Sequence, residues 1–134
     1  MKGSSTMGSA TNEIDIERPA DAVWEVVRDF GALTWMPGID SCRLDGNDRI
    51  LEMMGMELTE SLIRLDDDTR TLAYGIAKSP MPIEHHEATI VVTPIDDGSS
   101  HVTYSVDVAP DSMTDVMSNA YAGALQALKS KLES

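Results

Sequence analysis

Residues 112–133 read SMTDVMSNAYAGALQALKSKLE, and this stretch decides the fold. Met113, Val116, Met117, Ala120, Tyr121, Ala124, Leu125, Leu128 and Leu132 recur at the three-and-four spacing of one helical face. Ser112 stands at the N-cap position, with Asp115 three residues on as a weak capping box. Asp111 and Asp115 lie at the positive end of the helix dipole, Lys129 and Lys131 at the negative end. Such a helix spans roughly 30 Å, the width of a small domain. Its middle is small: Ser118, Asn119, Ala120, Ala122, Gly123 and Ala124. That means either close packing or a space left open, and the strands before it decide which.

Upstream the pattern turns to period two. Strands are predicted over 39–44, 49–54, 57–65, 71–77, 86–95 and 101–108. Turn signals separate them: Asp45-Gly46-Asn47-Asp48, Gly55, Asp66-Asp67-Asp68-Thr69, Ser79-Pro80-Met81-Pro82 and Asp96-Asp97-Gly98. Residues 12–17, NEIDIE, alternate as one further strand. Residues 20–30 read as a helix stopped by Gly31, and a second short helical piece runs through Leu33 and Trp35 to Pro37-Gly38. Trp24 and Trp35 read as core anchors. Six consecutive strands on short turns form an antiparallel meander. The class is therefore α+β: a curved seven-stranded antiparallel sheet around a long C-terminal helix, with one or two short helices after the first strand.

A chain of 134 residues suits one domain. Residues 1–11, MKGSSTMGSAT, read as a disordered lead or tag with no secretory pattern, and residues 12–134 as a single domain. No stretch approaches the roughly 20 apolar residues of a membrane span. A net charge of −13 disfavours nucleic acid and anionic membranes as partners. Cys42 is the single cysteine, so no internal disulfide forms, in keeping with an expected cytoplasmic location.

Several short pieces, in order, carry a resemblance: Pro19 with Val23-Trp24 and Asp29-Phe30, Trp35-Met36-Pro37, Thr59-Glu60-Ser61-Leu62 with Leu65-Asp66-Asp67, Arg70 with Leu72 and Tyr74, residues 82–89, and Ala124-Leu125 with Leu128-Lys129. Together they cover nearly all of residues 12–133 and resemble the helix-grip superfamily of START and birch-allergen-like proteins, most of all its bacterial polyketide cyclase/dehydrase branch. The resemblance implies a cavity between sheet and helix for a small hydrophobic, cyclic or aromatic molecule. It does not imply one reaction.

Alternation assigns the strand faces. Leu58, Glu60, Leu62 and Arg64 share a face. So do Leu72, Tyr74 and Ile76; His86, Ala88, Ile90 and Val92; and Val102, Tyr104, Val106 and Val108. These are taken to point at the helix, and Glu60 and His86 are the polar exceptions. Pairing Ile76 with His86 sets Tyr74 against Ala88 and Leu72 against Ile90. A three-residue acidic turn sets Glu60 against Ile76, which leaves Glu60 and His86 roughly 9–10 Å apart across two strand spacings. A desolvated carboxyl rises in pKa and a desolvated imidazole falls, so either group reaches acid–base range. The candidate catalytic residues are Glu60 and His86, with Tyr74 orienting. The candidate ligand wall is Leu58, Leu62, Ile76, Ala88, Ile90 and Tyr104 from the sheet, with Met117, Ala120, Tyr121 and Ala124 from the helix. In the abscisic-acid receptors that the chain resembles, the position matching Glu60 contacts ligand through water; the position matching His86 is commonly tyrosine in the family.

Two functions stand side by side. One is a cofactor-independent cyclase, dehydratase or isomerase, and the other a non-catalytic carrier or sensor. The expected partner is a small hydrophobic ligand, with the chain a monomer or homodimer. No cofactor and no metal are expected: His85 and His86 point to opposite faces of a strand, and the aspartates 66–68 lack the further ligands of a calcium loop. Met53, Met54 and Met56 read equally as pocket lining or core.

Overall fold

The computed structural model describes residues 6–134. The elements are β1 (Gly8–Ile16), α1 (Ala20–Val27), β2 (Ile39–Asp45), β3 (Asp48–Met53), β4 (Met56–Asp66), β5 (Thr71–Lys78), β6 (His85–Asp96) and β7 (Ser99–Ala109). A 3₁₀ turn (Asp111–Met113) leads into α2 (Thr114–Glu133). The sheet runs β1-β7-β6-β5-β4-β3-β2 with every pair antiparallel. Short turns make β2 to β7 a meander, and β1 closes the far edge of β7 from Gly8↔Val108 to Ile16↔Ser100. This is the helix-grip arrangement.

The inner face follows the alternation over most of its length. His86, Ala88, Ile90 and Val92 of β6 are buried, as are Val102, Tyr104, Val106 and Val108 of β7. α2 packs across β1 and β7, burying Met117, Tyr121, Ala124, Leu125 and Leu128. α1 packs across β6 and β7 through Val23, Trp24 and Val27. Neither helix packs closely on β3, β4 or β5, and that gap positions the site.

The structure corrects several expectations. β1 begins at Gly8, so residues 8–11 are not part of a lead: Ser9 Oγ donates to Asp107 at 2.6 Å, and Ala10 packs on the core. Small polar composition reads as loop, but the β7 edge needs a backbone partner. Residues 1–5 of the expected lead lie outside the described residues. α1 stops at Val27, and residues 28–38 pass through turns without a second helix. Phe30, Leu33 and Trp35 are buried there all the same, and Pro37 biases Met36 away from helix. Ser112 does not cap α2, because it lies inside the 3₁₀ turn and Met113 occupies the cap position.

One register change alters faces, and one predicted pair is lost. A bulge between Leu62 and Arg64 turns Arg64 outward to Asp66, and Leu65 takes the inner place opposite Leu72. The β5–β6 ladder ends at Tyr74↔Ala88, so Ile76 and His86 are not paired. The other predicted pairs hold: Leu72↔Ile90, Tyr74↔Ala88 and Glu60↔Ile76.

Candidate functional site

A cavity of about 420 Å³ lies where β3, β4 and β5 are left uncovered, against the first turns of α2. Period-two alternation brings Leu58 and Glu60 of β4, and Tyr74 and Ile76 of β5, to its wall. Helical spacing brings Val116, Met117, Ala120 and Tyr121. Six of the chain's nine methionines complete it: Met36, Met53, Met54, Met56, Met81 and Met117. At the mouth Met54 is 79% exposed and Val116 56%. Met54 and Gly55 form the β3–β4 turn with φ of 52° and 75°. Both are left-handed, as a two-residue hairpin favours, although Asn or Gly suits the first position better than Met.

Of the sequence-predicted residues, Leu58, Glu60, Tyr74, Ile76, Met117, Ala120 and Tyr121 share this cavity. Leu62, Ala88, Ile90, Tyr104, Ala124 and His86 do not line it. Ala88, Ile90, Tyr104 and Ala124 belong to the packed core. The small centre of α2 therefore divides. Ala124 is fully buried and lets the helix lie close to the sheet, while Ala120, one turn earlier, faces the opening. Asn119, Ala122 and Gly123 are exposed.

The one charged residue of the cavity wall, Glu60, belongs to an ion pair that sequence reading missed. Glu60 Oε1 accepts a hydrogen bond from Arg49 Nε at 2.8 Å and lies 2.8 Å from Nη2 in the same ion pair. Arg49 Nη1 donates to the Phe30 carbonyl at 3.2 Å. The guanidinium lies 4.1 Å from the Phe30 ring centroid and 4.7 Å from that of Tyr74. Arg49 is only 2% exposed, so it is among the most deeply buried side chains of the chain. A signal was available: the Met54-Gly55 turn fixes Met53↔Met56, and stepping back by twos gives Leu51↔Leu58 and Arg49↔Glu60.

Arg49 thus holds one oxygen of Glu60. Glu60 Oε2 accepts no hydrogen bond among the described residues. Burial pushes the Glu60 carboxyl above its ordinary value, and the guanidinium pulls it back without cancelling the rise.

His86 stands behind the cavity wall. Its Nε2 shares a hydrogen bond of 2.7 Å with the Tyr121 hydroxyl, while Nδ1 has no partner among the described residues. The Tyr104 and Tyr121 rings stack at 4.0 Å and 6°, and the Tyr74 and Tyr104 hydroxyls are hydrogen-bonded. All three tyrosines of the chain are gathered here. Burial holds their hydroxyls above their ordinary range, so all stay protonated. The expected convergence of Glu60 and His86 is replaced by two separate pairs, Glu60 with Arg49 and His86 with Tyr121. His86 reaches the cavity indirectly, through Tyr121, to which it is hydrogen-bonded, and Tyr74, on whose ring it packs, because both line it and His86 does not.

Burial, with His85 beside it, lowers the His86 pKa from 6.5 to about 4. The folded protein therefore keeps His86 neutral where the unfolded chain takes up a proton, so stability falls as pH drops from 6.5 to about 4. The loss from this group is roughly 3 kcal/mol. In urea titrations at pH 7 and pH 4, wild type should lose that much more stability than His86→Gln, which keeps a partner for Tyr121. An equal loss in both proteins would show that His86 is not the titrating group.

Among the described residues, no group of three or more His, Cys, Asp or Glu side chains is placed to hold a metal ion. Nor is any helix among them long and apolar enough to cross a membrane.

The family model described as polyketide cyclase / dehydrase and lipid transport matches residues 7–133. An uncharacterized protein from Bacillus thuringiensis superposes with a TM-score of 0.88 at 24% identity, over 95% of this chain and 100% of that one. An aromatase/cyclase from a Streptomyces species gives 0.77 at 17% identity, over 96% and 94%. Norcoclaurine synthase from Thalictrum flavum, in complex with dopamine and hydroxybenzaldehyde, gives 0.75 at 17% identity, over 96% and 87%. At these identities the structural matches speak to fold alone. No curated protein matches the chain.

Proposed function

The chain belongs to the polyketide cyclase / dehydrase and lipid transport family, and from that premise we propose that its cavity binds a small hydrophobic molecule through one polar contact, Glu60. The observation that carries this reading is an apolar, methionine-rich cavity of about 420 Å³ lined by Glu60, one of whose carboxylate oxygens has no partner among the described residues. Ligand pockets commonly run to about 300–1,000 Å³, mostly apolar with a few placed polar groups. Leu58, Ile76, Met117, Ala120 and Tyr121 form the apolar wall, and Glu60 orients the guest. Norcoclaurine synthase, solved with two small aromatic molecules, supports an aromatic guest for the same fold.

Native mass spectrometry of the purified protein, before and after organic extraction, tests the reading. A bound small molecule should appear as an added mass that extraction removes. Thermal shift against small polycyclic and phenolic compounds should raise Tm for those that bind. No bound species together with no shift across the panel would overturn it.

One observation favours a second reading, proton transfer by Glu60. Its carboxyl is raised by burial and Glu60 lines the cavity, as a general base for a cofactor-independent cyclisation, dehydration or isomerisation requires. His86 would then be a positioning residue that sets the Tyr121 hydroxyl. On this reading Glu60→Gln lowers turnover at least tenfold while ligand still binds; on the carrier reading there is no turnover to lose.

A further inference from the structure

We infer that the guest is a neutral aromatic alcohol or phenol, its hydroxyl donating to Glu60 Oε2 and its ring held among the methionines. This rests on the ligand-binding reading above and narrows it to a class of ligand.

The head group follows from charge balance. Arg49 donates through Nε to Oε1 and through Nη1 to the Phe30 carbonyl, keeps Nη2 2.8 Å from Oε1, and has the Phe30 and Tyr74 rings against its guanidinium. It is fixed behind the wall and does not line the cavity. The pair as a whole is neutral, and what it presents to the guest is an acceptor. His86 is neutral at pH 7 and the tyrosine hydroxyls stay protonated. An ammonium guest would bring an uncompensated positive charge into an apolar cavity, since the Glu60 charge is already matched. A carboxylate guest would bring a negative charge against Oε2. Both carry the cost of a buried, unmatched charge. A guest with no donor leaves Oε2 unpaired once water is displaced. Only a neutral donor satisfies the oxygen and preserves the balance.

The body follows from the wall. Six thioethers surround the space. Thioether sulfur is polarisable and makes favourable contacts with aromatic rings, often at the ring edge. The lining tyrosines are occupied elsewhere, Tyr121 stacked on Tyr104 and Tyr74 against Arg49. Each thus already has an aromatic or cationic partner, and the methionines, the most numerous residues of the wall, hold the guest.

A matched naphthalene series tests this by calorimetry at pH 7: naphthol, methylnaphthalene, naphthylmethylammonium and naphthoate, all substituted at the same ring carbon. Naphthol should bind wild type about tenfold tighter than methylnaphthalene, the scale of one hydrogen bond to a charged acceptor. The ammonium and the carboxylate should bind at least tenfold more weakly than naphthol. In the double variant Arg49→Met, Glu60→Met the cavity stays apolar, and the preference for naphthol over methylnaphthalene should vanish while methylnaphthalene still binds. Equal binding of naphthol and methylnaphthalene to wild type, or tightest binding of the ammonium, would overturn the hydroxyl inference and leave the hydrophobic cavity standing. Should the double variant fail to fold, the wild-type ranking alone decides. Failure of all four probes to bind wild type would overturn the cavity reading and this inference with it.

Discussion

Arg49→Ala is expected to destabilise the protein by about 3–5 kcal/mol at pH 7. Roughly, that is a fall in Tm of 10–20 °C for a domain of this size. The cost is not the worth of the pair itself. Moving two charges out of water offsets most of their mutual attraction, and removing one partner leaves the other buried and unmatched. Glu60 is 7% exposed and its wall is apolar. Without the guanidinium its carboxyl rises further, beyond the rise burial already imposes. A carboxyl raised in the folded state gives stability that is fully present below its unfolded pKa and lost as pH rises through the folded one. The deficit of Arg49→Ala should therefore be smaller near pH 4.5, where the Glu60 carboxyl is already half protonated in the unfolded chain, and grow towards pH 7. Arg49→Met with Glu60→Met removes both charges and keeps bulk, so its stability should stay near that of wild type at both pH values. Urea titrations of the three proteins at pH 4.5 and pH 7 check this. A deficit of equal size at both pH values, shared by the double variant, would make Arg49 a packing element and not a charge partner.

That pair also marks how far the sequence can be read. The strand run, the long helix and most inward faces follow from period-two and helical spacing, because burial on one side imprints the chain residue by residue. The errors fall where a residue's fate is settled by something distant. β1 takes Gly8 to Thr11 because β7 offers an edge, and nothing in GSAT announces that. A bulge at Ile63 reverses Arg64 and Leu65, and no local pattern requires it. The site was half legible. Glu60 stood out as a carboxylate on an apolar face, while Arg49 passed unnoticed because β3 is short and arginine on an outer face is ordinary. His86 stood out for the same reason as Glu60. Its partner is a helix residue, and sheet parity says nothing about which helix residue stands above which strand.

Two tryptophan substitutions one helical turn apart should separate the two roles of the small residues in α2. Ala124 is fully buried within the core cluster, under the part of the helix that packs on β1 and β7. Ala124→Trp has no space to enter, so it should cost on the order of 3 kcal/mol or prevent folding. Its effect on ligand would then be a consequence of unfolding, not of a blocked site. Ala120 faces the cavity opening beside Val116 and Met117. Ala120→Trp can place its ring in the space proposed for the guest and bury apolar surface there, leaving stability within about 1 kcal/mol of wild type. Binding of naphthol should fall about a hundredfold or more, since roughly 3 kcal/mol of ligand contact is displaced. Urea titration and calorimetry on both variants check the pair. Were Ala124→Trp to fold normally and Ala120→Trp to bind naphthol as wild type does, the guest would have to lie deeper along the helix than the cavity described. With the expected split, bulk is withheld at Ala124 so that the helix can approach the sheet, and at Ala120 so that something else can.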